Sequence, residues 1–320
     1  MVTITTKPAA ATKKQANVWK NRYKPYVPIF LMMLPGLIYL VINNYLPMFG
    51  LVIAFKKIDY ARGILGSPWT GFDNFMFLFK TSDAYIITRN TLLYNGVFIV
   101  LTAILSIAVA ILLNEVRSKL MSRLYQSIIL LPFLISMVIV GYLAFAFFGN
   151  AQGYVNNSIL PLFGMDPISW YMEPQYWPYI LTFVQLWKTV GFTCIIYLAS
   201  IIGIDPEYYE AATLDGANKW QQIRTITIPL IMPVIIIMTL LAVGRIFYSD
   251  FGLFYQVPMN SGMLYDTTNV IDTYVFRGLL QNGDIGMSSA AGFYQSVVGF
   301  ALVLFANWSV KKFSKENALF

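Results

Sequence analysis

The chain has 320 residues, of which 58% are hydrophobic and 12% are charged. A soluble protein of this composition would lack the charges that normally cover its surface, so we expect a membrane protein. The formal net charge of +7 could indicate nucleic-acid binding. The basic residues, however, lie beside apolar segments and form no stripe with interleaved aromatic residues, so no nucleic-acid partner is predicted.

The sequence contains no histidine and a single cysteine, Cys194. The lack of histidine excludes haem ligation by histidine, the usual zinc sites and Ser-His or Cys-His catalytic pairs. A single cysteine cannot form an intrachain disulfide bond. We therefore predict a chain with no catalytic residues, no metal site and no cofactor-binding residues.

Six apolar segments approach the length of roughly 20 residues that a helix needs to cross a bilayer. They lie at 28–55, 91–113, 125–148, 179–203, 226–247 and 285–309. The predicted fold class is an all-α polytopic membrane protein with about six transmembrane helices. We expect one membrane domain over 27–310, between cytoplasmic tails at 1–26 and 311–320.

The distribution of Lys and Arg predicts that both termini lie inside. Fourteen of these residues fall in the segments predicted to be inside, and six fall in the predicted outer segments. Five of those six lie in the first outer loop, which is the exception to the rule. An aromatic group in the second outer loop suits an interfacial belt and comprises Trp170, Tyr171, Tyr176, Trp177 and Tyr179.

The inside loop at 204–225 predicts two short helices joined by a tight turn. Asp205 can cap the first helix, and Gly216 can end it in a left-handed conformation. Asn218 can then start the second helix together with Gln221, three residues further on. Small side chains in this loop permit close approach, and a carboxylate can pair with a basic partner.

The same loop reads Glu-Ala-Ala-x-x-Asp-Gly-Ala over 210–217 and continues with Trp220-Gln221-Gln222-Ile223-Arg224. This resembles the EAA motif of ABC importer permeases, in which the loop is a cytoplasmic coupling helix that sits in a cleft of the ATP-hydrolysing subunit. The alternative is an ordinary amphipathic linker between two spans. The resemblance implies that coupling to the ATPase involves Glu210, Ala211, Ala212, Asp215, Gly216 and Ala217.

Further segments resemble the oligosaccharide and polysaccharide branch of these permeases, and with it the maltose-type fold. They are Leu34-Pro35-Gly36, Tyr45-Leu46-Pro47-Met48, 63–69, Asn90-Thr91 and Leu113-Asn114-Glu115-Val116. The resemblance implies a multi-pass protein of the bacterial cytoplasmic (inner) membrane. Its expected partners are a second related permease, two ATPase subunits and an extracytoplasmic sugar-binding protein that docks on the long outer loops.

ATP and Mg²⁺ are expected on the partner ATPase subunits, because the sequence contains no Gly-x-x-x-x-Gly-Lys-Ser/Thr loop. The expected contacts of this chain are therefore those partner subunits, membrane lipid and the transported oligosaccharide.

Two basic residues lie within predicted spans, and a charge inside a membrane indicates a functional site. Helical spacing groups them with polar and aromatic neighbours into two stripes that could face one cavity. The candidate residues of the substrate pathway are Gln185, Lys188, Thr189, Phe192, Arg245 and Ser249. Two cations would favour oligosaccharides that contain uronates. Alternatively, Lys188 and Arg245 snorkel or pair with carboxylates such as Asp250.

The sequence leaves two alternative transport functions. An ABC permease could carry neutral sugars or glycerol phosphates. A secondary transporter driven by an ion gradient would usually show inverted repeats and buried acidic residues, whereas the second and third predicted spans contain neither Asp nor Glu. The sequence therefore favours a permease subunit of an ATP-driven oligosaccharide importer.

Overall fold

The computed structural model of the protein describes residues 26–76 and 80–313. The predicted tails at 1–26 and 311–320 lie almost wholly outside these ranges. Within them, every named element is a helix, and the β-type pairing is an isolated bridge between Lys56 and Trp69. The prediction of an all-α protein is confirmed.

The chain divides into two compact units between Val52 and Ile53. The described part of the first unit begins with helix α1, Val27–Leu40, and continues through a π-helical turn, Val41–Tyr45. A 3₁₀ segment, Leu46–Phe55, completes an apolar stretch of 29 residues. This length is enough to cross a bilayer, as the sequence predicts.

The second unit is a bundle of long apolar helices with shorter helices at its two ends. Its labelled helices are α2 Ser82–Asn114, α3 Lys119–Leu134, α4 Met137–Phe148, α5 Trp177–Ile202, α6 Pro206–Leu214, α7 Ile228–Val243, α8 Phe251–Gln256, α9 Ile271–Leu280 and α10 Ile285–Phe313. Among the described residues of both units, five stretches are long and apolar enough to cross a membrane, or six if α3 and α4 form one broken span. This agrees with the prediction of about six spans.

Helix α2 begins nine residues before the predicted start of the second span. Thr81 is extended and precedes the helix, and Asp83 in the first turn is favourable at the positive end of the helix dipole. Ala84 and Ile87 are buried in a core cluster, so the first turns of α2 are stabilised by packing. The first outer loop is correspondingly shorter than the predicted segment 56–90.

The third predicted span, 125–148, contains a sharp break. Helices α3 and α4 meet at an angle of 94°. Ile135 has extended backbone geometry with ψ of 134°, which ends α3. The Ser136 hydroxyl then accepts a hydrogen bond from the Ile139 N–H and caps α4. A local cap therefore starts a new helix where the hydropathy pattern continues unbroken.

The fifth span also differs from the prediction at both ends. A single helical turn, Lys219–Gln222, runs through a π-helical turn, Ile223–Thr227, directly into α7. The second short helix of the inside loop is therefore continuous with the membrane span. At the other end, α7 stops at Val243, so Arg245 lies in the turn after the helix and not within it.

Helix α5 packs against both α2 and α3. Its backbone lies close to α3 at Gly191, where a Cβ atom would be 1.9 Å from the Ile129 carbonyl oxygen. Any larger residue at this position would force the two helices apart. Leu181 and Tyr197 on α5 are almost completely buried, so this helix lies at the centre of the second unit.

The interfacial-belt interpretation is wrong for three of the five aromatic residues in the second outer loop. Trp170, Tyr171 and Trp177 are buried in a core cluster. The Trp177 Nε1–H donates to the Trp170 carbonyl oxygen over 2.7 Å, and the Trp170 Nε1–H donates to the Asn156 Oδ1 over 2.8 Å. Tyr179, by contrast, is 77% exposed. These rings can be buried because their polar atoms find hydrogen-bond partners within the protein.

Candidate functional site

The loop at 204–225, predicted to lie inside, forms a helical hairpin that begins with a capped helix. The Asp205 carboxylate accepts a hydrogen bond from the Glu207 N–H over 3.0 Å, as predicted for a cap of α6. The helix ends at Gly216, which has the predicted left-handed conformation with φ of 82°. The Ala217 N–H then bonds the Ala212 carbonyl oxygen over 2.9 Å, which satisfies an acceptor of the last helical turn.

The second half of the hairpin carries the predicted capping box. The Asn218 side chain accepts from the Gln221 N–H over 3.0 Å, and the Gln221 side chain accepts from the Asn218 N–H over 2.8 Å. The two halves are also joined directly, because the Gln222 Nε2 donates to the Thr213 Oγ1 over 2.9 Å. The hairpin is therefore held in one conformation by its own side chains.

The hairpin exposes apolar side chains that a protein surface normally buries. Leu214 is 90% exposed and Trp220 is 71% exposed. Of the predicted coupling residues, Glu210, Ala211, Asp215 and Gly216 are exposed, whereas Ala212 and Ala217 are half-buried. Such a surface, with a carboxylate among apolar and small residues, suits a protein partner.

An ion pair connects the hairpin to a second membrane helix. The Lys219 ammonium group lies 3.1 Å from the Glu115 carboxylate, which directly follows the last residue of α2. The Tyr209 hydroxyl of α6 also contacts the Thr227 hydroxyl at 3.0 Å, just before α7 begins. A displacement of the hairpin would therefore act on both α2 and α7.

A cavity of about 380 Å³ lies between α2, α5 and α7 and reaches the turn that follows α7. Its wall alternates apolar side chains with hydroxyl, amide and guanidinium groups. The lining residues are Asn95, Phe98, Ile99, Thr102, Ala103, Gln185, Thr189, Thr193, Tyr197, Met238, Thr239, Ala242, Arg245 and Tyr248. This lining includes one cation and no carboxylate, so the cavity suits a polar ligand that carries negative charge.

The structure brings together three of the predicted pathway residues, Gln185, Thr189 and Arg245, in the wall of this cavity. The Arg245 side chain is exposed and forms no hydrogen bond or ion pair with the described residues. The Gln185 Oε1 atom is buried and has no hydrogen-bond partner in the described part of the chain. The exposed Arg245 guanidinium group is therefore available to a ligand in the cavity.

The other three predicted pathway residues, Lys188, Phe192 and Ser249, are not part of the wall. The Lys188 ammonium group donates to the carbonyl oxygens of Pro132, Phe133 and Ile135 at the end of α3. These carbonyl groups lie at the end of α3 and have no N–H donors from a following helical turn. The Lys188 ammonium group supplies the missing donors and is therefore not free to bind a ligand.

Phe192 packs against the α3 side of its helix and Ser249 lies in the turn after α7. The Phe192 ring stacks on the Phe133 ring with 4.5 Å between centroids. The Ser249 hydroxyl accepts a hydrogen bond from the Asn95 Nδ2 over 3.1 Å. Neither side chain is positioned to bind a ligand in the cavity, so the prediction that both stripes face one cavity holds only in part.

Sequence reasoning missed most of the polar wall. Asn95 and Thr102 on α2 are seven residues apart and so share a helix face, and Thr193 continues the stripe of Thr189 on α5. That spacing within apolar spans is a signal that could have identified them. Tyr248 follows α7, and the sequence around it gives no periodic signal for its place at the cavity.

The described residues contain no group of three or more His, Cys, Asp or Glu side chains that could hold a metal ion. The predictions about cofactors, and about ATP and Mg²⁺ on partner subunits, stay predictions.

Comparisons with known proteins cover the hairpin and most of the cavity. Residues 102–315 match the family described as a binding-protein-dependent transport system inner membrane component. The polygalacturonan/rhamnogalacturonan transport system permease protein YteP of Bacillus subtilis (strain 168) is 34% identical over 289 residues, covering 90% of this chain and 89% of YteP. The trehalose/maltose transport system permease protein MalF of Thermococcus litoralis is 27% identical, covering 89% of this chain and 92% of MalF.

A solved structure shows the same fold. It is a chain of a bacterial ABC transporter involved in the import of the acidic polysaccharide alginate, with a TM-score of 0.84 and 34% identity, and the match covers 93% of this chain and 99% of that one. Because the family match covers residues 102–315 and YteP is 34% identical over 90% of this chain, the chain belongs to the inner-membrane permease components of binding-protein-dependent ABC importers.

Proposed function

We propose that this permease carries an acidic, uronate-containing oligosaccharide inward and that Arg245 contacts its carboxylate. The observation that supports this most directly is the state of Arg245, which is the cation of the cavity wall and forms no ion pair with the described residues. An unpaired guanidinium group can donate two parallel hydrogen bonds to one carboxylate, so Arg245 suits the acidic group of such a sugar.

The rest of the wall suits the neutral parts of such a ligand. The Gln185 amide and the Thr189 and Thr193 hydroxyls can exchange hydrogen bonds with sugar hydroxyls, and the Tyr248 ring offers a face for a pyranose ring. The relatives support an acidic substrate, since YteP is named for polygalacturonan and rhamnogalacturonan and the structural neighbour imports alginate.

The proposed assembly is the one that the sequence resemblance implies. The hairpin docks on an ATPase subunit that binds ATP and Mg²⁺, a second permease completes the pathway, and an extracytoplasmic protein delivers the sugar. The alginate transporter has been crystallised with its pentasaccharide-bound periplasmic protein, and its chain superposes on this one with a TM-score of 0.83. In this proposal both termini are cytoplasmic, and the chain itself catalyses no reaction.

The geometry suggests how ATPase closure would reach the cavity. The hairpin continues without interruption into α7 and is tied to α2 by the ion pair between Lys219 and Glu115. Both helices line the cavity. A movement of the hairpin would therefore change the separation of two walls of the sugar site at once.

The test uses the complete transporter in proteoliposomes, with tetragalacturonate as the acidic probe and maltotetraose as the neutral one. Arg245→Met should raise the apparent KM for tetragalacturonate by roughly ten- to a hundred-fold, since a charge-assisted contact contributes about 1.5–3 kcal/mol. Arg62→Met is the matched control, because Arg62 is exposed in the first outer loop and pairs with Asp59. Competition by glycerol 3-phosphate would point to a different anionic substrate, and equal losses for both sugars would contradict the proposal.

A further inference from the structure

The five residues that follow Gly244 form a turn segment, 245–249, between α7 and α8. This segment carries two residues of the cavity wall, Arg245 and Tyr248. Its internal backbone bonding is sparse, with the Tyr248 N–H bonded to the Arg245 carbonyl oxygen over 2.8 Å. A segment of this kind needs external contacts if its side chains are to keep a fixed direction.

One contact comes from α2. The Asn95 Nδ2 atom donates to the Ile246 carbonyl oxygen over 2.8 Å and lies 3.1 Å from the Ser249 Oγ. Asn95 thus binds the turn segment near both of its ends. It replaces hydrogen bonds that a helix would have supplied at these positions.

The other contacts come from α9 and α10. The Gln295 Nε2 atom of α10 donates to the Phe247 carbonyl oxygen over 2.5 Å, and Gln295 is only 5% exposed. The Asp272 carboxylate of α9 accepts from the Ser249 N–H over 2.8 Å. Gln295 and Asp272 also bond each other over 3.2 Å, so the two helices hold the segment as a unit.

The Asp272 carboxylate is used within this arrangement. It forms no ion pair with any described Lys or Arg residue, and its hydrogen bonds to the rest of the chain come from Ser249 and Gln295. A half-buried carboxylate without a cation is costly, whereas a turn can be held by neutral groups. The two partners of Asp272 are the turn segment itself and the side chain that holds that segment, so its hydrogen bonds account for its place behind the cavity cation.

We propose that Gln295, Asp272 and Asn95 are positioning residues that fix the turn segment, and with it the direction in which Arg245 enters the cavity. This inference rests on the proposed function, in which Arg245 contacts the sugar carboxylate. Three helices, α2, α9 and α10, then determine the affinity of the site, although α9 and α10 do not contact the sugar. A shift of α9 or α10 would move Arg245 and weaken binding of the acidic group.

The first test does not depend on the substrate. Amide hydrogen exchange of the turn segment is measured by mass spectrometry on the complete transporter in lipid nanodiscs without sugar. Gln295→Met and Asp272→Leu should speed exchange there by about tenfold or more, because each removes an anchor. Asp272→Asn keeps an oxygen for the Ser249 N–H and should stay near the wild-type rate. Gln126→Met on α3 is the control for loss of an amide, since Gln126 bonds Ser122 within its own helix.

The second test asks whether Gln295 acts through Arg245. Gln295→Met should raise the apparent KM for tetragalacturonate by about tenfold and change the turnover number less than about twofold. In the Arg245→Met background, Gln295→Met should raise the apparent KM for tetragalacturonate by less than about a further twofold. The reason is that the contact between Arg245 and the sugar carboxylate is already absent there. A residue with a merely structural role would add its full effect in that background.

The outcomes separate the two proposals. If the wild-type transporter does not import tetragalacturonate, the proposed substrate is wrong, and hydrogen exchange alone decides whether the segment is anchored as inferred. The positioning role is overturned if hydrogen exchange is unchanged in both Gln295→Met and Asp272→Leu. It is also overturned if the effects of Gln295→Met and Arg245→Met on the apparent KM are additive. If Gln295→Met does not assemble, the pair Asp272→Leu and Asp272→Asn provides the same comparison.

Discussion

The Lys188 ammonium group on α5 lies 3.2 Å from the Pro132 carbonyl oxygen at the end of α3. This places a cation at the negative end of a helix dipole, where the last carbonyl groups lack intrahelical donors. The arrangement explains how the chain can break a span inside the membrane. It also distinguishes the two cations that the sequence placed within spans, because Lys188 is bound by the protein and the Arg245 side chain forms no hydrogen bond or ion pair with the described residues.

Replacing Lys188 should destabilise the protein and leave sugar selectivity unchanged. Lys188→Met would leave carbonyl groups at the end of α3 without donors, at a cost on the order of 3 kcal/mol. Lys188→Arg keeps charge and donors and should retain more of the stability. Unfolding in detergent by titration with a denaturant measures both variants. A loss of tetragalacturonate uptake with maltotetraose uptake intact would instead assign Lys188 to the substrate.

Replacing Gly216 should uncouple ATP hydrolysis from transport. Its φ of 82° is unfavourable for residues with a Cβ, and most of all for a β-branched one, so Gly216→Val should distort the end of α6. We expect at least a tenfold loss of sugar-stimulated ATP hydrolysis in the lipid-embedded complex, which corresponds to about 1.4 kcal/mol or more. Gly164→Val is the matched control, since Gly164 has φ of 65° in an outer loop. Equal losses for both variants would exclude a specific role of the turn.

Reversing the charge of Glu210 should weaken the docking of the ATPase subunit. The side chain is exposed on α6 and forms no ion pair with the described residues, so its carboxylate is available to a basic partner. Glu210→Lys should reduce ATPase binding by about tenfold or more, measured with immobilised permease. Glu207→Lys, on the first turn of the same helix, should have the smaller effect. Wild-type binding by Glu210→Lys would contradict the coupling role.

Stability should depend on pH through Asp272. Burial raises the pKa of the Asp272 carboxyl group above its ordinary value, and the nearby Asp250 adds to this, while hydrogen bonds from Ser249 and Gln295 act in the opposite direction. The folded state therefore binds the proton more tightly than the unfolded state. Stability should fall as the pH rises from the ordinary carboxyl pKa to the raised value in the folded state, by up to about 1.4 kcal/mol per pH unit.

Asp272→Asn should remove this part of the pH dependence, because the amide does not titrate. Thermal unfolding of both proteins at a series of pH values in this window tests the expectation. The wild-type protein should lose stability toward higher pH relative to the variant. Parallel curves for the two proteins would show that Asp272 has the same pKa in the folded and unfolded states.

The basic residues of the first loop that is predicted to lie outside show why a topology rule read from sequence has an exception there. The Lys56 ammonium group is buried and donates to the Ile64 carbonyl oxygen over 3.0 Å, and Arg62 pairs with Asp59 at 3.3 Å. Arg89 donates to the Asp266 carbonyl oxygen over 2.9 Å. These cations serve the folded structure of the outer segments, and a count of charges cannot distinguish such residues from free ones.

The local sequence was sufficient for the features that depend on neighbours within a few residues. The number of apolar spans follows from their length, and the hairpin follows from Asp205, Gly216 and the Asn218–Gln221 capping box. Caps and left-handed turns are made by side chains and backbone groups two to five residues apart, so the sequence alone determines them.

Contacts between residues far apart in the chain could not be predicted from the local sequence. The break between α3 and α4 is held by Lys188, which is more than fifty residues further along the chain. The direction of Arg245 depends on Asn95, Asp272 and Gln295, which come from three other helices. Hydropathy and spacing record that a residue is polar, but only the packing of the helices determines whether its partner is a carbonyl group, another side chain or the space of a cavity.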